Sequence, residues 1–411
     1  SMVGLLYAML DLNRDPETFK AYDRMTAHDL FIKFGLSKRL VDDFIRPTLL
    51  VGLFKPPEEL SAAVTMELLY YYALAHQDSF DVRWVSKGTV SSSLIAPLAT
   101  HLIDTYDLKV LGGCRVEEVI MDESSKNATG VRYQKFNGKT KKPKSFELND
   151  VDAVVLALGA KGMRGVVGGS PQLAQQAPEL SKAASLGGID VVTTRIWLDR
   201  YVAVENPANV LSRFDKLRGA GGTFFMLDQL QQDNEVELWG GAEPKGSVLA
   251  CDFYNGGAVA TLSDEDIIGL LMDELLPTAV PAFKQAKVLD SHVVRCPGAV
   301  TWFSPGSFAC RPPLETSISN ITCAGDWVRM GEREHGSKGL CQERAFVSGL
   351  EAGNSLSRRV LKNLENSEAT NREHVVLPIR ADETQVVVGR SINKAVMDVL
   401  KPFGFDSPWV R

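Results

Sequence analysis

The sequence lacks three features that would each indicate a class of protein. No stretch of about 18 continuous apolar residues occurs, so we expect no membrane-spanning helix. The 51 acidic residues outnumber the 45 basic ones, which gives a formal net charge of −6, and no long run of Lys or Arg interrupts this balance. A nucleic-acid partner is therefore not expected, because binding to a polyanion depends on concentrated positive charge.

Motifs for metal binding and covalent catalysis are also missing. The six cysteines (114, 251, 296, 310, 323 and 341) show no CxxC or Cys/His spacing, and the six histidines lie far apart. We expect free thiols in a reducing compartment, and no metal site. Since neither GxSxG nor HExxH occurs, hydrolytic or metal-assisted chemistry is not indicated.

What the sequence does contain is typical of a globular protein. Its 411 residues, 45% hydrophobic and 23% charged, can form a large core and two or three domains. Residues 15–76 have mostly helical spacing, and Ser61 is a plausible N-cap of the last helix of this region. The broad apolar face of that helix could be part of the core, the wall of an apolar tunnel or a membrane-facing patch.

From residue 81 onward, strands and helices alternate, which predicts an α/β fold. The apolar run AVVLAL (residues 153–158) is typical of a parallel strand that is buried on both faces. A hairpin turn is predicted near residues 127–130. Farther along, Ser263 is expected to cap a helix that ends at Pro277.

The strongest chemical signal is ITCAGDWVRMGEREHGSKGLCQERAFVSGLEAGNSL (residues 321–356). It predicts a short strand, a glycine turn and a helix that begins near Gly339. Ala324 and Gly325 are small, so a ligand could approach the backbone there, and Asp326 would follow the carboxyl end of the strand. The start of the helix could stabilise an anionic group. An ordinary strand-turn-helix remains the alternative.

Two other segments are weaker candidates. In LGAKGMRGVVGG the glycines at 159, 162 and 165 follow an apolar strand, but their GxxGxxG spacing is not the GxGxxG of a dinucleotide-binding loop. TWFSPGSFACRPPLETSISN is either a plain connector or a loop that presents Trp302, Phe303 and Arg311 to a pocket.

These segments together resemble the flavin-dependent amine oxidase and carotenoid (phytoene) desaturase superfamily. CAGDWV with GSKGLCQERAFVSGLEAGNSL is similar to its C-terminal flavin motif, and LGGCRVEEVIMDE, DAVVLALGA and the TWFSPGSF segment are similar to earlier parts of it. The likeness covers most of residues 20–356 and is most specific at 321–353. It implies an α/β fold in which a flavin domain of the glutathione-reductase type is interleaved with an α+β substrate domain.

The resemblance also implies a set of FAD-binding residues. Val116 would contact the adenine through its backbone, and Ala157 and Gly159 would lie near the dinucleotide. The other implied residues are Ala324, Gly325 and Asp326 near the ribityl-pyrophosphate, and Gly339, Leu340 and Cys341 beneath the isoalloxazine. The catalytic residues stay unknown, with Arg311 and Arg329 as weak candidates for placing charge near the flavin.

The expected domain layout follows from the same resemblance. It assigns 1–80 to a helical part of the substrate domain, 81–165 and 301–360 to the flavin domain, 166–300 to the substrate domain and 361–411 to a C-terminal extension. One departure is large, because no GxGxxG unit stands before residue 20. We expect the chain to be a fragment that lacks this upstream unit, the alternative being a form with an incomplete flavin site.

The resemblance implies an FAD-dependent oxidoreductase, desaturase- or isomerase-like, that transfers hydride from a hydrophobic polyene or isoprenoid substrate to flavin N5. The alternatives are a non-catalytic binding or scaffold protein and an amine oxidase, and carboxylates around the pocket would favour the latter. A plastid, or a cyanobacterial cytoplasm or thylakoid surface, is the implied location. Peripheral membrane contact through residues 65–75 is a further expectation. The sequence indicates no oligomeric state.

Overall fold

The computed structural model describes residues 2–74, 85–136, 143–212, 214–331, 334, 341–360 and 374–407. Helices and strands are mixed throughout this part of the chain, as the alternating sequence pattern predicts. None of the described helices is both long and apolar enough to cross a membrane.

The chain begins with a layer of helices. They are α1 (Met2–Asp11), α2 (Pro16–Asp23), α3 (Ala27–Lys33), α4 (Lys38–Leu40), α5 (Arg46–Gly52) and α6 (Ala62–Ala73). Ser61 caps α6 as predicted, because its Oγ accepts a hydrogen bond from the Val64 N–H at 3.5 Å. Met66, Leu69 and Tyr70 are buried, so α6 packs into the core. The membrane contact expected through residues 65–75 stays a prediction.

A helix and an antiparallel meander follow. They are α7 (Ala96–Tyr106), β1 (Cys114–Met121), β2 (Ala128–Lys135) and β3 (Lys144–Asn149), with the strand order β1-β2-β3. The turn predicted near residues 127–130 is wrong by several residues. It lies before β2, where the Asp122 carboxylate accepts hydrogen bonds from the N–H groups of Ser124 and Ser125 and so replaces missing backbone bonds.

The predicted apolar strand is confirmed as a parallel one. β4 (Val154–Leu156) pairs with β10 (Ile321–Cys323), and Ile321 lies opposite Val154. Directly after β4 the chain forms α8 (Ala160–Gly169), α9 (Pro171–Gln176) and α10 (Pro178–Ala184). Because the strands are parallel, the residues that follow both of them meet at one edge.

A larger antiparallel sheet has the order β6-β7-β8-β5-β9. Its strands are β5 (Gly188–Leu198), β6 (Ala208–Leu211), β7 (Gly221–Met226), β8 (Val248–Tyr254) and β9 (Val288–Thr301). The intervening helices are α11 (Leu227–Leu230), α12 (Glu235–Leu238), α13 (Gly257–Ala260), α14 (Asp264–Gly269) and α15 (Leu276–Ala279). Ser263 caps α14 as predicted, but Pro277 does not end the helix, because it sits in the first turn of α15, where its missing N–H costs little.

Two buried clusters form the core. One joins the N-terminal helices to β1, β2, β4, α8–α10 and β10, and the other lies between the five-stranded sheet and α13–α15. The chain continues into α16 (Gln342–Arg359) and α17 (Thr384–Leu400). The domain boundaries expected from the sequence stay a prediction.

Asn320 connects the meander to the two-stranded sheet. Its Nδ2 donates to the carbonyls of Ala128 and Asp152 at 2.8 and 3.1 Å, and its Oδ1 accepts from the Ala128 N–H at 2.9 Å. Only 6% of its surface is exposed. We expect Asn320→Ala to lower the free energy of unfolding by about 2–3 kcal/mol, because buried backbone groups lose their partners.

Urea unfolding would measure this loss. Asn209→Ala is the matched control, because the Asn209 side chain makes only an exposed hydrogen bond to the Asn206 carbonyl. We expect this control to stay within about 0.5 kcal/mol of the parent. Equal losses in the two variants would show that Asn320 does not hold the two sheets together.

Candidate cofactor site

The residues after β4 and β10 lie side by side. The Ala324 N–H donates to the Leu156 carbonyl at 3.2 Å, and Trp327 Nε1 donates to the Leu158 carbonyl at 2.8 Å. The segment around Ala157 is therefore held against the segment that contains Gly325. Two separate regions of the sequence predicted as cofactor-binding thus share the carboxyl edge of one parallel pair.

Gly325 needs to be glycine at this edge. Its φ is +137°, and a Cβ would lie 3.1 Å from Cδ1 of Trp327. The Gly325 N–H donates to Ser348 Oγ at 2.8 Å, which connects the turn to α16. The sequence analysis interpreted Gly325 as space for a ligand. The positive φ shows that the backbone conformation also requires glycine at this position.

The Asp326 carboxylate is directed toward the beginning of α16. It accepts a hydrogen bond from the Cys341 N–H, the residue that precedes α16. Burial raises the pKa of Asp326, and that hydrogen bond and the nearby Arg311 and Arg344 guanidiniums offset part of the rise. Asp326 and Cys341 are thus brought together as predicted, whereas Gly339 and Leu340 lie outside the described residues.

Asp326 predicts a pH dependence with a definite sign. Because its pKa in the folded chain is raised above the unfolded value of about 3.9, the stability it contributes is complete below that value and is lost as the pH rises through the folded pKa. Asp326→Asn removes this loss and keeps an acceptor for the Cys341 N–H. We therefore expect the variant to gain stability over the parent as the pH rises above about 4, because one pKa unit corresponds to about 1.4 kcal/mol.

Urea unfolding at several pH values would measure this difference. Asp122→Asn is a control of opposite sign, because hydrogen bonds from Ser124 and Ser125 lower the pKa of Asp122 to about 2. The stability advantage of the parent over Asp122→Asn should shrink as the pH falls. A difference between Asp326→Asn and the parent that does not change with pH would contradict the prediction.

A cavity of about 1010 Å³ opens beside this edge, between β1, α8 and the end of β9. Val116 and Gly159, which the sequence assigned to the dinucleotide, both line it. Val116 is 40% exposed and lies at an irregularity of β1, where the pairing with β2 shifts between Val116 and Glu118. Such a bulge leaves backbone groups outside the ladder and accessible to a ligand.

The α8 side of the cavity suits an anionic ligand. Gly159 is the N-cap of α8. Because glycine has no side chain, no side-chain oxygen accepts a hydrogen bond from the N–H groups of the first turn. Gly162 and Gly165 also line the cavity, and a Cβ on Gly165 would meet no atom within 4 Å. The GxxGxxG spacing was the signal for these two glycines, which the sequence interpretation left out of the predicted site.

Cations at the rim add to this character. Lys161, Arg115 and Arg132 line the same cavity, together with the carboxylates of Glu117 and Glu118. Arg132 is paired with Glu118 and Glu147, and Lys161 Nζ donates to the Pro297 carbonyl at 2.8 Å. A helix N-terminus, a glycine-lined wall and nearby cations are features that fit the phosphate and adenine part of a dinucleotide.

The loop from 302 to 311 does not present its side chains to a pocket. Phe303 and Arg311 are 0% and 1% exposed, and Trp302 Nε1 donates to the Glu59 carbonyl at 2.8 Å. The Arg311 guanidinium lies 4.1 Å from the centre of the Phe303 ring, and burial lowers its pKa to about 10. The alternative that this segment is a connector is therefore correct, and Arg311 supports the site from within the core.

Comparison with known proteins agrees with the geometry. The sequence profile of the family "Flavin containing amine oxidoreductase" matches residues 4–352. The chain belongs to this family of flavoprotein oxidoreductases, which confirms the resemblance found in the sequence.

The chain is also similar, at low sequence identity, to enzymes of carotenoid metabolism. The chain is 24% identical over 337 residues to a 15-cis-phytoene desaturase, chloroplastic/chromoplastic, of Solanum lycopersicum, a match that covers 80% of this chain and 52% of the relative. It is 26% identical over 361 residues to a carotenoid phi-ring synthase of Streptomyces griseus, covering 85% and 62%. The chain thus spans roughly half to three-fifths of the length of these relatives.

One solved structure shows a partial likeness to the chain. It is described as an oxidoreductase from Methanosarcina mazei, with a TM-score of 0.48 and 15% identity, over 83% of this chain and 68% of that one.

Proposed function

We propose that this chain is part of an FAD-dependent oxidoreductase that dehydrogenates or isomerises a hydrophobic polyene or isoprenoid substrate. The observation that carries the cofactor is the joining of the residues after β4 and β10 with the start of α16, beside a glycine-lined cavity. Membership in the flavin family supports it. The carotenoid enzymes among the relatives support the substrate class. The apolar face of α6 does not add to this support, because it packs into the core.

The residues that would hold FAD follow from their places in the fold. Val116 and Gly159, at the cavity, would bind the adenosine part, with the start of α8 toward a phosphate. Ala157 and Gly325 would keep the backbone thin at the strand edge. Ala324, Asp326 and Cys341, which precedes α16, would hold the ribityl and ring part, to which the sequence also assigned Gly339 and Leu340. When bound, FAD would supply the hydride acceptor, and the chain would supply orientation and an enclosed pocket.

Binding of the adenosine part can be tested with two glycines of α8. Gly165 lines the cavity and Gly168 does not, and a Cβ would meet no atom within 4 Å at either position. We expect Gly165→Leu to weaken the affinity for ADP and for FAD by about tenfold, because the new side chain fills the cavity and one lost contact of about 1.4 kcal/mol has this effect. Gly168→Leu should leave both affinities within about twofold of the parent.

Calorimetric titration of the folded chain with ADP, and then with FAD, gives these affinities. Equal affinity in the two variants would place the ligand elsewhere. An absence of binding to both ligands by the folded parent would favour the non-catalytic alternative.

The relatives named above include a chloroplastic and a bacterial protein, and we propose one of these two settings for this chain.

A further inference from the structure

One side of α17 holds the helix on the N-terminal layer. Val386 and Met397 are buried, and Val386 belongs to the apolar cluster that contains the N-terminal helices. On the same side, Asn393 Nδ2 donates a hydrogen bond to Asp11 Oδ1 of α1 at 2.8 Å. α17 is therefore fixed to the body of the protein along this inner side.

The opposite side of α17 is apolar and exposed. Val388, Ile392 and Val399 are 50%, 59% and 66% exposed, and Ala395 between them is also exposed. These four residues follow one another at steps of four, three and four, so they lie along one side of the helix. We call them the outer face of α17. A continuous apolar surface of this kind marks a site of interaction.

The apolar surface continues from α17 onto α1. Leu10 of α1 contacts α17 at Gly389, where a Cβ would lie 3.2 Å from Leu10 Cδ1. Val3 and Leu6 precede Leu10 at helical spacing and are exposed. Two neighbouring helices thus present apolar side chains together, and such a layer can pack against another layer of helices.

The charges of α17 do not match those of a lipid surface. Helices that lie on a membrane carry Lys and Arg that are available to anionic headgroups. Arg390 is instead paired with Asp382. Lys394 is followed one helical turn later by Asp398, so this side of the outer face carries no net charge. The same side of a second copy can therefore approach it without repulsion.

The side-chain volumes of the outer face are complementary to themselves. Steps of four, three and four are the spacing of a seam between two paired helices. If two copies pair antiparallel about a two-fold axis, Ile392 of each lies opposite Ala395 of the other, and Val388 lies opposite Val399. Each layer then joins a large residue to a small one or two residues of equal size. A parallel pair would place Ala395 against Ala395 and leave a gap.

We propose that the outer face of α17 is an interface between two copies of this chain, which pair antiparallel about a two-fold axis near residues 393 and 394. The occupant is a second copy because the seam is complementary to itself in volume and carries no net charge. The inference goes beyond the proposed function, and it involves neither the flavin nor the substrate.

Sedimentation velocity of the whole chain over a series of concentrations measures the dissociation constant of the dimer. We expect Ile392→Glu to raise it at least about a hundredfold, because each dimer would bury two unpaired carboxylates. Ile32→Glu is the matched control, since Ile32 of α3 is 62% exposed and lies on another helix. It should stay within about twofold of the parent. Circular dichroism checks that each variant folds.

A second set of variants tests the direction of the pairing. Val388→Glu and Val399→Lys should each weaken the dimer by about tenfold or more, because each places an unpaired charge in the seam. The double variant Val388→Glu/Val399→Lys should recover most of the affinity, because in an antiparallel pair each new carboxylate lies opposite a new ammonium. In a parallel pair like charges would meet, and the double variant would stay dissociated.

Three results would overturn the inference. The first is a parent that stays monomeric at its highest soluble concentration, and the second is a dimer that Ile392→Glu leaves intact. The third is a monomeric parent that binds vesicles of equal parts phosphatidylcholine and phosphatidylglycerol and loses this binding in Ile392→Glu, which would assign the outer face to a lipid surface. Recovery in the double variant would support the antiparallel interface. FAD binding by a monomeric parent would remove the interface and leave the flavoprotein assignment standing.

Discussion

Replacing Arg344 by methionine is expected to lower the free energy of unfolding by about 3–5 kcal/mol. Arg344 lies in the first turn of α16 and is fully buried. Its Nε donates to the Asp326 carbonyl at 2.8 Å and its guanidinium also donates to the Val328 carbonyl. It forms an ion pair with Glu334 as well. Methionine fills a similar volume but leaves two carbonyls and one carboxylate without this donor.

Two further variants test whether this loss comes from the geometry of the guanidinium. Arg344→Lys keeps the charge, but one ammonium cannot replace a planar fork that reaches two carbonyls, so we expect an intermediate loss. Arg358→Met, in the same helix, removes a distant pair with Glu315 at 4.0 Å and should cost less than Arg344→Met. Urea unfolding would measure all three, and a loss below about 1 kcal/mol for Arg344→Met would contradict the role of Arg344 as an anchor.

The features that could be predicted from the sequence depend on neighbouring residues. Ser61 and Ser263 cap helices because a side-chain oxygen reaches an N–H three residues on. β4 was predictable because a short apolar run follows a polar segment. The sites after β4 and β10 could be predicted together only because the resemblance supplied their pairing, which no local signal contains.

Long-range packing explains what could not be predicted. Asn320 finds its partners in segments far away in the sequence, and Arg344 finds its partners across the loop that precedes α16, so no helical or strand spacing indicated them. The sequence left two interpretations of the segment at 302–311, a connector or a loop that presents its side chains to a pocket, because no local pattern showed that Phe303 and Arg311 are buried in the core. The prediction that the helix ends at Pro277 was wrong, because a proline in the first turn of a helix is compatible with its continuation.

The wall of the cavity depends on an unusually close contact between α8 and β1. A Cβ on Gly169 would lie 2.1 Å from the carbonyl oxygen of Glu117, and both residues line the cavity. α8 cannot simply move away, because Ser170 Oγ accepts the Val119 N–H at 2.9 Å and donates to the Val166 carbonyl. Glycine is therefore needed here for the approach of two backbones, a packing reason that is separate from the GxxGxxG spacing.

Gly169→Ala is accordingly expected to lower the free energy of unfolding by about 2–3 kcal/mol, as overpacking of a tight contact does. It should also weaken ADP binding, because displacing α8 from β1 changes the cavity between them. The neighbouring Gly168→Ala is the control, since a Cβ there meets no atom and alanine favours a helix over glycine by about 0.5–1 kcal/mol. Urea unfolding should therefore show opposite signs for two adjacent glycines. Equal effects at both positions would mean that α8 does not hold its place by this contact, and that the cavity is not fixed by the packing of α8 on β1.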